Sequence, residues 1–235
     1  VKTQVRKASA TQPTDSRRAR SEATKHAIMR AAEKLIAQGG VENVSIRDIM
    51  AAAEQKNESA LQYHFKNLTG LLDAIHEQRA LEVQARRAEA LAQLLDNTTE
   101  PTLRQLCLLM VDPTFQLARA SVEFRHYIKA FGHRLAMSDS SPLKIVSAKG
   151  GGGASGRQIG ELLRVALPHL DEPAYRRRME AAITLCSASM YQQARKTNAF
   201  RGAQSDLFLH SLIDALVGLL SAPVSPETQA LTNQT

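Results

Sequence analysis

Ser59, Gln62, Tyr63 and Lys66 fall at spacings that place them on one face of a short helix, opposite Leu61 and Phe65. A hydroxyl, an amide, a phenol and an ammonium group backed by apolar side chains suit hydrogen bonds to base edges and phosphate oxygens. Gln55, Lys56 and Asn57 precede this face, and His64 lies within it. The other reactive spacings are incomplete. Ser141-Pro142-Leu143-Lys144 fits an S-x-x-K nucleophile pattern, but the K-T-G and S-D-N elements that complete such a site are absent. The four glycines at 150–153 lack the G-K-[ST] ending of a phosphate loop and read as a linker. His126 with His133, and His210 with Asp214, share helical faces without a third ligand, so no metal and no cofactor are expected. Cys107 and Cys186 each lie in an apolar helical pattern and read as buried reduced thiols. These residues assemble no catalytic site, and an enzyme is not expected.

The elements that would hold the polar face are two short helices joined by a tight turn. Ser45 and Asp48 form a capping-box spacing, and Ile46, Ile49, Met50 and Ala53 give the first of the two helices a buried side. Glu54-Gln55-Lys56-Asn57 breaks the apolar pattern, and Asn57 is a good cap for the second helix. Upstream, Ile28, Ala31, Ala32, Leu35 and Ile36 predict a helix over about Thr24–Gln38, stopped by Gly39-Gly40. Downstream, Leu71, Leu72, Ile75, Val83, Leu91, Leu94 and Leu95 mark the inward side of a long helix.

From Thr24 to Arg79 the chain resembles the DNA-binding domain of the TetR family of bacterial transcriptional regulators. The ordered pieces are Ala27–Ile36 with its glycine stop, Val44–Ile49, Tyr63-His64-Phe65-Lys66, and Gly70–Ile75. The run Gln55–Phe65 resembles a subgroup with a longer connection before the recognition helix. Glu54 departs from the glycine usual in the turn, which requires either a left-handed backbone at a non-glycine residue or a shifted turn. The resemblance implies two recognition helices in successive major grooves. Gln62, Lys56 and Asn57 would probe bases, and Tyr63, Lys66 and Ser45 would hold phosphates. It also implies a palindromic operator, and repression relieved by a small molecule.

Of the net charge of +7, all but one unit sits on residues 1–30, where Arg17, Arg18 and Arg20 adjoin the folded region. Those three are expected to contact phosphates from a flexible arm. The scarcity of aromatic residues, at 4%, with abundant Ala and Leu favours an all-α chain. No uninterrupted apolar run approaches a membrane span, and the charged first residues do not read as a signal peptide, so a cytoplasmic protein is expected.

The expected organisation is a basic arm (1–20), a three-helix helix-turn-helix domain (21–79), a helical effector-binding and dimerisation domain (80–221) and a disordered tail (222–235). Breaks are expected at Asn97–Pro101, at Asp112-Pro113 and at 138–142. Leu207–Leu220 is apolar over most of its circumference and predicts a homodimer contact through Leu209, Leu212, Ile213, Leu216 and Leu220. The resemblance implies a ligand cavity, for which Phe124, Tyr127, Ile128, Phe131, Met179, Ile183 and Cys186 are the candidate walls, with Arg125, His126 and Tyr191 nearby. An apolar molecule with one polar or anionic end would suit it. The competing class is a helical protein-interaction module without specific DNA binding. Residues 24–79 carry no net basic excess, and Glu54 and Glu58 flank the polar face.

Overall fold

The first helix, α1 (Pro13–Gly39), begins eleven residues before the start expected at Thr24. In the computed structural model, which describes residues 13–133, 139–148, 152–232 and 234, Arg17, Arg18 and Arg20 therefore lie on exposed early turns of α1 rather than on an arm. Proline is pre-organised for a first helical position, and Arg, Ala, Glu and Lys then sustain the helix without needing a buried face. Gly40, at φ 85°, ends it.

After a 3₁₀ turn (Val41–Asn43) come α2 (Ile46–Ala52), α3 (Ser59–Phe65) and α4 (Leu68–Asn97). The capping box at α2 is formed both ways, with Asp48 N–H donating to Ser45 Oγ and Ser45 N–H to Asp48 Oδ2, each at 3.2 Å. Ile28, Ile36, Ile49, Leu61, Phe65, Leu71 and Ile75 fill the core beneath these helices. Helix α4 runs unbroken through the division expected at 79/80.

The remaining helices are α5 (Leu103–Ala120), α6 (Val122–Phe131), α7 (Pro142–Ala148), α8 (Gly153–Ala166), α9 (Glu172–Ala194), α10 (Gly202–Ser221) and α11 (Pro226–Thr232). Every regular element among the described residues is helical, so the fold is all-α. Thr102 and Gln105 form a second capping box at the start of α5. The break expected at Asp112-Pro113 does not occur, and Pro113 is buried within α5. Its missing N–H costs the helix one bond. Burial of Leu109, Val111, Phe115 and Ala118 on both sides of it holds the helix together. Helix α6 joins the two halves, because its Ala130 and Phe131 enter the N-terminal core while Phe124 and Ile128 enter the C-terminal one.

Two C-terminal expectations need correction. Leu209, Leu212, Ile213, Leu216 and Leu220 are each no more than 5% exposed within a single chain, so they are its own core and not a contact surface. Helix α10 packs one side against α5 and α9 and leaves Leu207, Ser211, Ala215 and Gly218 exposed on the other. By length and composition alone α10 could cross a membrane. Its half-buried Asp206 and exposed Asp214 instead pair with Arg119 and Arg104 of α5, which fits a helix on the surface of a folded domain. The tail 222–235 contains α11, with Ser225 Oγ accepting from Thr228 N–H at 3.3 Å and Pro226 at the first helical position. Arg177 ties it to α9 by donating to Thr232 Oγ1 at 2.9 Å.

Candidate nucleic-acid interface and the cavity behind it

The turn before α3 is built without glycine. Glu54 takes φ 56°, its N–H donates to the Ala51 carbonyl at 3.1 Å, and the Gln55 N–H donates to the Met50 carbonyl at 2.9 Å. These two bonds make a Schellman end for α2, whose left-handed position normally takes glycine. Of the two outcomes open to Glu54, the chain adopts the left-handed one. Glu54→Gly should therefore raise stability by about 1 kcal/mol, seen as a higher midpoint in thermal unfolding. Glu54→Gln should leave the midpoint unchanged and tighten DNA binding at low salt through loss of the exposed carboxylate.

Helix α3 presents its polar face as expected. Leu61 and Phe65 are buried, while Ser59, Gln62, Tyr63 and Lys66 are exposed, Tyr63 by 80%. Lys56 and Ser45 are exposed beside them. Asn57 Oδ1 accepts from the Ser59 N–H at 2.8 Å, so its oxygen is spent on the turn into α3 and only its NH2 group is left for a base. Gln55 is half-buried and its Nε2 donates to the Ala53 carbonyl at 3.1 Å, which turns it back on the chain. His64 is half-buried between the rings of Tyr63 and Phe65, with centroids at 4.9 and 5.9 Å.

The exit from α3 is equally fixed. Lys66 has φ 68° and ψ −49°, and the Asn67 N–H donates to the Phe65 carbonyl at 2.8 Å, a strained γ-turn. Asn67 Oδ1 then caps α4 by accepting from Gly70 N–H at 2.9 Å. A Cβ at Gly70 would lie 2.0 Å from the Phe65 carbonyl oxygen, so only glycine allows this approach of α3 to α4.

Behind the head, a cavity of about 680 Å³ lies among α4, α5, α6, α8 and α9. Phe124, Tyr127, Ile128, Phe131, Met179, Ile183 and Cys186 all stand on its wall. Arg125, His126 and Tyr191 do not line it, and Arg125 Nη1 instead donates to the Ala118 carbonyl at 2.7 Å. The polar wall comes from His76, Arg79, Gln84 and Arg87 of α4, which sequence reasoning missed. Burial pushes the Cys186 thiol up to about 12, so it stays protonated and is no nucleophile at neutral pH. Among the described residues no cluster of three or more His, Cys, Asp or Glu could hold a metal ion.

Arg79 connects this wall to the head. Its Nε and Nη2 donate to Glu33 Oε1 and Oε2 of α1, each at 2.7 Å, and its Nη1 donates to Glu82 at 2.8 Å. Its guanidinium also lies 5.5 Å from the Phe124 ring centroid. Burial disfavours the charge on Arg79, but Glu33 and then Glu82 outweigh it, and its pKa is raised. Burial likewise pushes the Glu33 carboxyl up, against the pull of Arg79. Both Glu33 oxygens accept from the guanidinium, the arrangement an ionised carboxylate makes. His76 extends the junction, with Nδ1 3.4 Å from the Tyr127 hydroxyl and its ring 4.6 Å from that of Phe131.

Residues 28–75 match the model of bacterial regulatory proteins of the tetR family. No curated protein matches the chain. Among solved structures, GusR of Salmonella enterica is 21% identical, with 90% of this chain and 98% of that one covered and a TM-score of 0.47. RolR, solved in complex with resorcinol, is 17% identical, with 92% and 96% covered and a TM-score of 0.46.

Proposed function

We propose that the chain is a sequence-specific DNA-binding transcriptional regulator of the tetR type, acting as a homodimeric repressor released by a small molecule. The observation that supports this most is the match over residues 28–75, which spans a helix-turn-helix whose polar face is exposed and whose backbone is fixed at both ends of α3. Gln62 reads base edges, with Lys56 and the Asn57 amide beside it. Tyr63, Lys66 and Ser45 hold phosphates, and Arg17, Arg18 and Arg20 follow the backbone from the start of α1. Two such heads occupy successive major grooves about 34–36 Å apart. With the five core leucine and isoleucine positions of α10 buried, the dimer seam falls on its exposed side, at Leu207, Ser211, Ala215 and Gly218.

Effector control follows from the junction. A molecule in the cavity touches the same Arg79 that grips Glu33 of α1, so a shift of α4 or α6 is felt by the DNA-binding head. To release DNA, the ligand must bind the DNA-incompetent state more tightly. A hundredfold preference corresponds to about 2.7 kcal/mol of coupling.

The division of labour on DNA is testable by titration against a preferred site and random duplex at several salt concentrations. Gln62→Ala should cost roughly 1–3 kcal/mol on the preferred site and little on random DNA. Replacing Arg17, Arg18 and Arg20 with Gln should weaken both alike and flatten the salt dependence. Equal losses on both DNAs from both changes would contradict the assignment.

A further inference from the structure

Arg87 is a half-buried cation with no carboxylate partner among the described residues. It stands on the cavity wall two turns beyond Arg79 on the same face of α4. Arg79 is neutralised by Glu33 and Glu82, whereas Arg87 has no carboxylate partner among the described residues. Its Nη1 donates to the Gly152 carbonyl at 3.3 Å. No Asp or Glu is among the described residues lining the cavity. Burial alone holds the Arg87 guanidinium below its ordinary range, with no acid to restore it.

The segment carrying that carbonyl is not a loose linker where it is described. Gly152 and Gly153 take φ 74° and 72°, and Cβ atoms there would lie 2.7 Å from Arg87 Nη1 and 2.5 Å from Gln84 Oε1. The left-handed turn thus presses its backbone onto Arg87 and Gln84, holding the guanidinium at the wall by one side. A guanidinium has five N–H donors in a planar fork suited to a carboxylate.

We propose that the cavity takes a monocarboxylic acid with a long apolar body, its carboxylate docked on Arg87. This assignment rests on reading the cavity as the effector site and names the ligand class for it. A single uncompensated guanidinium matches a single negative charge. A phosphate monoester would bring about one charge more, and Arg79 is already occupied. Away from His76, Arg79, Gln84, Thr114 and Ser187 the remaining wall is apolar, and Met110, Met179 and Met190 give it adaptable side chains that accommodate a flexible chain. The volume lies within the range of about 300–1,000 Å³ common for small-molecule sites.

The test is calorimetric titration of the full chain with octanoate, decanoate and dodecanoate, and with their methyl esters. Wild type, Arg87→Met and Arg87→Lys are compared, and DNA binding is measured in parallel. The acids should bind at least about tenfold more tightly than the esters, as expected for a buried charge-assisted contact. Arg87→Met should lose that preference while still binding the esters, which shows its cavity intact, and Arg87→Lys should keep part of it. Equal binding of acids and esters by the wild type would overturn the docking role of Arg87. So would binding of neither by a protein that still binds DNA. Acids that bind through Arg87 yet leave DNA affinity unchanged would support the site and count against the effector reading alone.

Discussion

Gly70→Ala should unfold or severely loosen the DNA-binding head, at a cost of about 3 kcal/mol. The added methyl would sit 2.0 Å from the Phe65 carbonyl oxygen, a backbone atom that cannot swing aside. To relieve the clash, the γ-turn at Lys66 must open, and α3 then tilts away from its place against α4. The sign of the effect is informative, because within a helix alanine is otherwise favoured over glycine by about 1 kcal/mol. Calorimetric unfolding should show a lower midpoint, and DNA affinity should fall with it. A variant as stable as the wild type would mean that α3 and α4 do not meet as described.

Glu33→Ala should cost about 3–5 kcal/mol, because it leaves the Arg79 guanidinium inside the junction without its bidentate partner. Denaturant unfolding would measure this. Replacing both partners, Glu33→Met with Arg79→Met, should restore most of that stability, since apolar groups of similar size can stand in for a buried pair. The double variant should still bind DNA, yet cavity ligands should no longer alter its DNA affinity. Retention of a full ligand response in the double variant would show that the signal does not pass through this pair.

Much of the head was legible in the sequence because its signals are local. The Ser45–Asp48 box, the glycine stop at Gly40 and the outward face of α3 each depend on residues within a turn or two of one another. The seven apolar residues gathered at the cavity were legible as inward-facing positions of α6 and α9. What escaped notice depends on tertiary context. His76, Arg79, Gln84 and Arg87 look like a solvated face, yet they point inward, while Leu81 of the same helix is 58% exposed. Their signal was the gap in the apolar stripe between Ile75 and Leu91, bridged only by Val83. Pro113 looked like a helix end because nothing nearby shows that both sides of it are packed. The apolar circumference of α10 suited a second chain as well as the α5 and α9 helices that in fact cover much of it. The start of α1 rests on propensity and the short α11 on its Ser225 cap, without an apolar stripe to mark either.

The central claim is that α3 reads a defined DNA sequence as one half of a symmetric pair. Its most direct test is selection of fragments of the source genome bound by the purified protein, followed by sequencing. The claim predicts enrichment of an inverted repeat whose half-sites are centred about one helical turn apart, or a multiple of it, and loss of that enrichment with Gln62→Ala. Uniform recovery of fragments, or an enriched sequence that Gln62→Ala recovers unchanged, would contradict it.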